Sequence, residues 1–197
     1  LGGSTQDTVG VSTVDAEQYL NNLNGDLVLN EALLAGSGLI TLQSGAAITQ
    51  MAVDATDRVV ASGLRILAGS NVGLFSAYND VDTFAAELTG GALAYRDADD
   101  LSVGTLAAKL GGNTADLVGV TTANAEQYLN NLSGDLSLDA GMRAGSGLIS
   151  LTSGGKIAQH VTDTTDQVSA EALRIIAILA SPAMPGTSQE IWQRIGC

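Results

Sequence analysis

Cysteine is nearly absent from this chain: there is one, Cys197, at the very end. No disulfide can close within the chain, and no Cys/His zinc spacing exists. Proline is scarce at two residues, and aromatics are 4% of the whole. A core without large rings fills its volume with small branched side chains in layers, which suits a narrow, regularly repeating interior. Positive charge is also short. Eight Lys and Arg, none clustered, stand against 21 Asp and Glu, for a formal charge of −13. That leaves no electrostatic footprint for nucleic acid or for an anionic membrane surface. No apolar run reaches about 18 residues, so no membrane insertion is expected. The chain opens at Leu1 with no basic n-region and apolar h-region, which reads as a piece of a longer protein whose targeting signals lie elsewhere.

What is abundant is repetition. Residues 1–67 return at 110–176 with no gap, at an offset of 109, and about 40 of the 67 pairs are identical. A repeat this long means that one structural unit was copied. The sequence divides into a first unit over 1–109, a second, partial unit over 110–176, and a tail over 177–197.

Within a unit, short segments with Leu, Ile or Val two apart alternate with Gly, Asn, Asp and Ser. They are 26–29, 38–42, 46–49, 58–60, 64–67, 72–75, 92–95 and 101–103. The period of two predicts strands, and Asn24-Gly25, Gly36-Ser37-Gly38, Ser44-Gly45 and Gly90-Gly91 are turn chemistry between them. Sandwich, barrel and solenoid all fit that spacing. The solenoid is favoured, because adjacent segments repeat one short pattern, as in Gly25-Asp26-Leu27-Val28-Leu29 and Gly38-Leu39-Ile40-Thr41-Leu42, and two-residue hairpin turns between long strands are missing. One unit then winds into roughly five rungs of about 20 residues.

Two stretches depart from this pattern. Residues 15–23 and their copy 124–132 place Ala16, Tyr19, Leu20 and Leu23 at helical spacing, with Asp15 or Asn124 as N-cap, and predict short lateral helices. Residues 82–88 fit either strand or helix. Strong helix formers fill 170–179 before Pro182, and Ile191, Trp192 and Ile195 share one face, so a helical tail is expected to cap the stack.

Leu64-Arg65-Ile66-Leu67, Asn79-Asp80-Val81-Asp82-Thr83-Phe84 and Tyr95-Arg96-Asp97-Ala98-Asp99-Asp100-Leu101 carry a resemblance. Their order resembles the repeats of filamentous-haemagglutinin-like bacterial surface adhesins, over most of 24–122 and 133–175. The resemblance implies a right-handed parallel β-helix, secreted to the cell surface, that serves as a stalk in adhesion or aggregation. It leaves the receptor unnamed. The segment Ala16-Glu17-Gln18-Tyr19-Leu20-Asn21-Asn22-Leu23 has no place in that pattern. Residues 171–179, 181–185 and Ile191-Trp192 are similar to the last helices of methionyl-tRNA synthetase anticodon-binding domains, over about 27 residues and with none of the catalytic motifs.

Possible chemistry is thin. Asp54/Asp57 with Asp163/Asp166, Asp80/Asp82 and Asp97/Asp99/Asp100 could serve calcium, which needs six to eight oxygens, but no known calcium loop is present. Asx turns at strand ends account for them more simply. Asp99-Asp100 is an adjacent carboxylate pair of the kind glycoside hydrolysis needs, without supporting motifs. His160 is the sole histidine and is replaced by Met51 in the first unit. Gly36-Ser37-Gly38 lacks the third glycine of a dinucleotide fingerprint. Tyr19, Tyr78, Tyr95 and Tyr128 could stack on sugars, but such tyrosines more often pack beside the coil.

The expectation is therefore an all-β parallel solenoid with short helical inserts and a helical C-terminal tail. Its function is expected to be non-catalytic: a structural stalk segment of a secreted adhesin, located outside the cell or on the bacterial surface. No catalytic, cofactor or metal residue is assigned. Partners would be a host or cell-surface glycan or protein, or another copy stacking end to end. The alternatives are a self-assembling extracellular filament subunit and a polysaccharide-active enzyme on the same scaffold.

Overall fold

The computed structural model describes residues 10–107, 110, 115–159 and 168–169, and these are all-β. Three strands make one turn of a parallel stack. The first face begins with Val11–Ser12 and continues through the leading halves of Leu33–Ser44, Val59–Ala68 and Asp80–Leu88. Leu101–Val103, Leu136–Leu138 and Ile157–Gln159 complete it. The second face begins with Gln18–Asn22, takes the trailing halves of the same three long strands, and adds Val120–Thr122, Met142–Arg143 and Val168–Ser169. The third face holds Leu27–Leu29, Ile48–Gln50, Val72–Leu74, Leu93–Asp97, Gln127–Asn131 and Ile149–Ser153. Six turns have all three faces, and the first two faces form one eleven-stranded sheet around their shared corner.

The strand segments read from the sequence fall where they were placed, because alternate residues point into the stack and meet their counterparts on the next turn. Leu20, Leu42, Ile66, Ala86, Val120, Met142 and Val168 make one such column on the second face. Leu27, Ile48, Val72, Leu93, Gln127 and Ile149 make another on the third. Burial of these rows supplies the stability, at about 25 cal/mol per Å² of apolar area. Each row stabilises only its neighbours, so the terms add turn by turn.

The two sequence repeats do not occupy the same faces. Gln18–Asn22 opens the second face and pairs with residues 40–44, whereas its copy Gln127–Asn131 lies on the third, between Leu93–Asp97 and Ile149–Ser153. Likewise Leu27–Leu29 is on the third face and Leu136–Leu138 on the first. One 109-residue offset is thus four turns plus one face, about a third of a turn more than a whole number. This corrects the expected five rungs of equal length. Successive pairs Gln18↔Ile40, Ile40↔Leu64 and Leu64↔Phe84 are 22, 24 and 20 residues apart, but Ala86↔Val120 are 34 apart.

The long interval contains an excursion. Thr105–Leu106 and Leu117–Val118 pair antiparallel, the one such pair among the described strands. It lies on the outside of the second face. Leu106 covers Gly63, where a Cβ would sit 2.8 Å from its Cδ2. Arg65 points outward on that face yet is buried, and its Nη2 donates to Ala115 O at 3.1 Å. Leu110 N donates to Glu17 Oε1 at 3.1 Å.

The expected lateral helices are strands. Gln18–Asn22 and Gln127–Asn131 run with a period of two, and in the second copy Gln127, Leu129 and Asn131 all face inward. The helical pattern arose because the inward positions at both ends of the strand are amides, which read as polar. Asp15 and Asn124 are not N-caps but corner residues with φ of 51° and 58°. Residues 82–88 are also strand, within Asp80–Leu88. The tail over 177–197 and the helix over 170–179 lie outside the described residues.

Candidate functional site

The chemistry-bearing side chains of this stack gather at its corners, where the backbone turns and leaves N–H and C=O groups unpaired. The same bonds appear in both copies. Asp15 Oδ1 accepts from Ser37 N at 2.9 Å, and Asn124 Oδ1 accepts from Ser146 N at 3.2 Å. Gln18 Nε2 donates to Leu34 O at 2.7 Å and Thr13 Oγ1 at 3.1 Å; Gln127 Nε2 donates to Arg143 O at 2.8 Å and Thr122 Oγ1 at 3.2 Å. Asp26 and Asp135 accept from Ala47 N and Lys156 N, one turn on. Ser44 and Ser153 donate to Gly25 O and Gly134 O on the turn before. Apart from the two Gln–Thr bonds, which brace a corner within its own turn, each bond fastens one turn to the next. Glycine is required between them where backbones touch: a Cβ on Gly38 or Gly147 would lie 2.3 or 2.2 Å from Ala16 O or Ala125 O.

A second group of polar residues fills the corner between the third and first faces in turns two to four. Gln50 Nε2 donates to Asn79 Oδ1 and to Asp57 O, both at 2.7 Å. Its Oε1 accepts from Ser76 N at 3.0 Å and Asn79 Nδ2 at 3.2 Å. Asn79 Oδ1 also takes Val59 N at 3.0 Å. Asp57, fully buried, accepts from the backbone of Ala52, Val53 and Asp54. That carboxylate holds Val53 at φ 58°, a conformation β-branched residues avoid. These groups satisfy one another, as buried polar groups must.

Part of the acidic clusters singled out in the sequence is taken up in the same way. Asp54 Oδ1 accepts from Thr56 N and Oγ1, and those two bonds hold its carboxyl below the usual range. Asp100 Oδ1 accepts from Asp135 N at 2.7 Å. Asp139 Oδ2 accepts from Ser102 Oγ at 2.6 Å. A shallow hollow of about 340 Å³ is lined by Asp82, Asp100, Asp135, Ser102 and Ser137, but two of its three carboxylates are engaged with backbone N–H groups. Among the described residues no three His, Cys, Asp or Glu side chains converge as metal ligands. Asp163, Asp166, His160 and Cys197 lie outside them.

Asp97 stands apart. It faces the interior of the third face, fully buried, with Oδ1 accepting from Tyr95 Oη at 2.6 Å and Val81 N at 3.1 Å. Tyr95 is itself inside, stacked on Phe84 with ring centroids 4.5 Å apart. Its phenol is raised well above the ordinary value by burial and by the neighbouring carboxylates. Tyr19 instead packs outside, donating to Gln43 Oε1 at 2.6 Å, while Tyr78 is exposed. Gly36-Ser37-Gly38 is a corner, with Gly36 at φ 57°. Sequence reasoning missed Gln18, Gln50, Asn79 and Gln127 as buried bonding groups. The available signal was their spacing, two residues from an inward Leu, Ile or Val.

Comparison with protein-family models, with curated proteins and with solved structures finds no match.

Proposed function

We propose that this chain is a non-catalytic spacer: a segment of a right-handed solenoid stalk in a large secreted adhesin of the bacterial surface. The observation that supports this reading most is the reuse of one set of turn-to-turn bonds in both copies, a third of a turn apart. A unit that docks on its own predecessor with the same corner chemistry can be repeated to any length. At about 4.8 Å per turn, each unit of four and a third turns adds roughly 21 Å of rod. Asp15, Asp26, Asp54, Asp57, Asp100 and Asp135 are spent on backbone amides at the corners, which is a structural use of the acidic residues. Strong negative charge keeps such a surface soluble.

Single-molecule pulling tests the reading. A spacer holds its folded length and then yields in discrete steps as turns detach. Gradual extension from the lowest force would overturn it, as would falling polysaccharide viscosity that is lost in Asp100→Asn. Concentration-dependent growth of fibres from the purified chain would favour a filament subunit instead.

A further inference from the structure

Turn four meets turn five where the first repeat hands over to the second, and there Asp97 pairs in register with Asn131. Asn131 Nδ2 donates to Asp135 O at 3.1 Å, as Asn22 Nδ2 does to Asp26 O at 2.7 Å in the first copy. The corner thus fixes the amide orientation in both copies and leaves Oδ1 over. At Asn22, which is exposed, water can satisfy that oxygen. At Asn131 it is buried with no partner. An unpaired buried acceptor is costly, and here the residue stacked against it is a carboxyl group. On Asp97, Oδ1 is occupied by the Tyr95 and Val81 donors, while Oδ2 receives one long bond from Asp99 N at 3.3 Å.

We propose that Asp97 and Asn131 form a proton-operated latch across the junction of the two repeats: protonated Asp97 donates from Oδ2 to Asn131 Oδ1 and fastens turn four to turn five. When Asp97 is ionised, two acceptors face each other in a closed interior, and the junction loosens. The change is a simple gain or loss of one proton to solvent.

The surroundings favour the proton. Strand Asp80–Leu88 brings Asp80 and Asp82, the corner after Asp97 brings Asp99 and Asp100, and the next turn brings Asp135. On its own strand Asp97 has Tyr95 beside it, with Arg96 on the opposite side; Tyr128 is the titratable residue of the strand above. The charges felt at Asp80 are Asp99 and Asp82, and at Asp97, Asp80, all of them negative. Burial pushes the Asp97 carboxyl up to about 7, with Asp80 adding to the rise and the Tyr95, Val81 and Asp99 donors opposing it. Since the folded value lies above the unfolded one, the native state binds the proton more tightly. Stability is gained as pH falls through about 7 and lost as it rises through it.

Hydrogen exchange reads the latch directly, because Leu132 N and Ser133 N bond across this junction to Asp97 O and Ala98 O. With intrinsic rates corrected, their protection in the native chain should rise on going from pH 8.5 to 5.5, by up to about tenfold per pH unit below 7. Asp97→Asn supplies a permanent donor and should give high protection with no such rise. Asn131→Ala removes the acceptor and should lower the protection and shrink the rise to the part that burial of Asp97 causes by itself, which keeps the test decisive if the first variant folds poorly. Protection that stays flat or falls on acidification of the native chain would overturn the latch. So would a rise that survives in Asp97→Asn, or one as large in Asn131→Ala as in the native chain. The outcome does not depend on whether the stack serves as a spacer.

Discussion

Residues 16–23 and 125–132 are the same eight amino acids, Ala-Glu-Gln-Tyr-Leu-Asn-Asn-Leu, in two settings. In the first unit the segment begins the second face, with Asn21 and Asn22 exposed. In the second it lies on the third face between two turns, with Gln127, Leu129 and Asn131 all buried. Backbone conformation and corner bonds are alike in both. The comparison teaches that local structure belongs to the segment, while its face is set by how many residues precede it. Fourteen residues, Thr105 to Val118, lengthen one turn and shift everything after it by one face.

The largest expected difference between the two settings lies in the core. Leu129→Ala should cost about 2–5 kcal/mol, as for a fully buried leucine, and Leu20→Ala, only partly buried, distinctly less. Urea denaturation of the two variants measures it, and equal costs would break the claim that the second copy is enclosed on both sides. Next in size, Gln127→Ala and Gln18→Ala each remove a side-chain bond to a corner carbonyl and should cost about 0.5–1.5 kcal/mol, by similar amounts. Thermal melts that separate them widely would mean the two corners are not equivalent.

The smallest difference is one of pH. The bond Asp15 makes to Ser37 N is matched at the second corner by Asn124 and Ser146 N, a carboxylate in one case and an amide in the other. The Ser37 bonds hold the Asp15 carboxyl below its ordinary value. A lowered value means the bond contributes above the unfolded range and is lost as pH falls through the folded one. Exchange of the Ser37 amide should therefore quicken in strong acid relative to that of Ser146. Parallel behaviour of the two amides would remove Asp15 from that role.

Much of the strand plan was legible, because inward Leu, Ile and Val at a period of two survive any choice of fold around them. Stacking was legible from repetition. The segment 16–23 misled for a physical reason: its inward Gln18 and Asn22 satisfy corner carbonyls, so the apolar residues that remained happened to fall at helical spacing. The sequence places Tyr95 beside the coil and Asp97 in an Asx turn at a strand end, since a carboxylate in a core is foreign to composition arguments; only the alternation from Leu93 points to their lying inside. Arg65 gave no sign of burial, because its cover comes from Ala115, fifty residues away in the chain. The rotation of the second unit was out of reach, as it depends on the length of the Thr105–Val118 excursion and not on any motif.

The account rests on one continuous stack in which the second repeat is turned by one face. Cross-linking tests it most directly, in a Cys197→Ser background. Ala94 and Tyr128 are register partners on the third face, so Ala94→Cys with Tyr128→Cys should close a disulfide readily on oxidation. An unrotated repeat would instead carry Tyr128 along the second face, above Ala85, which continues the row Tyr19, Thr41 and Arg65. The account predicts closure of the 94–128 pair and none of 85–128; the reverse result would contradict it.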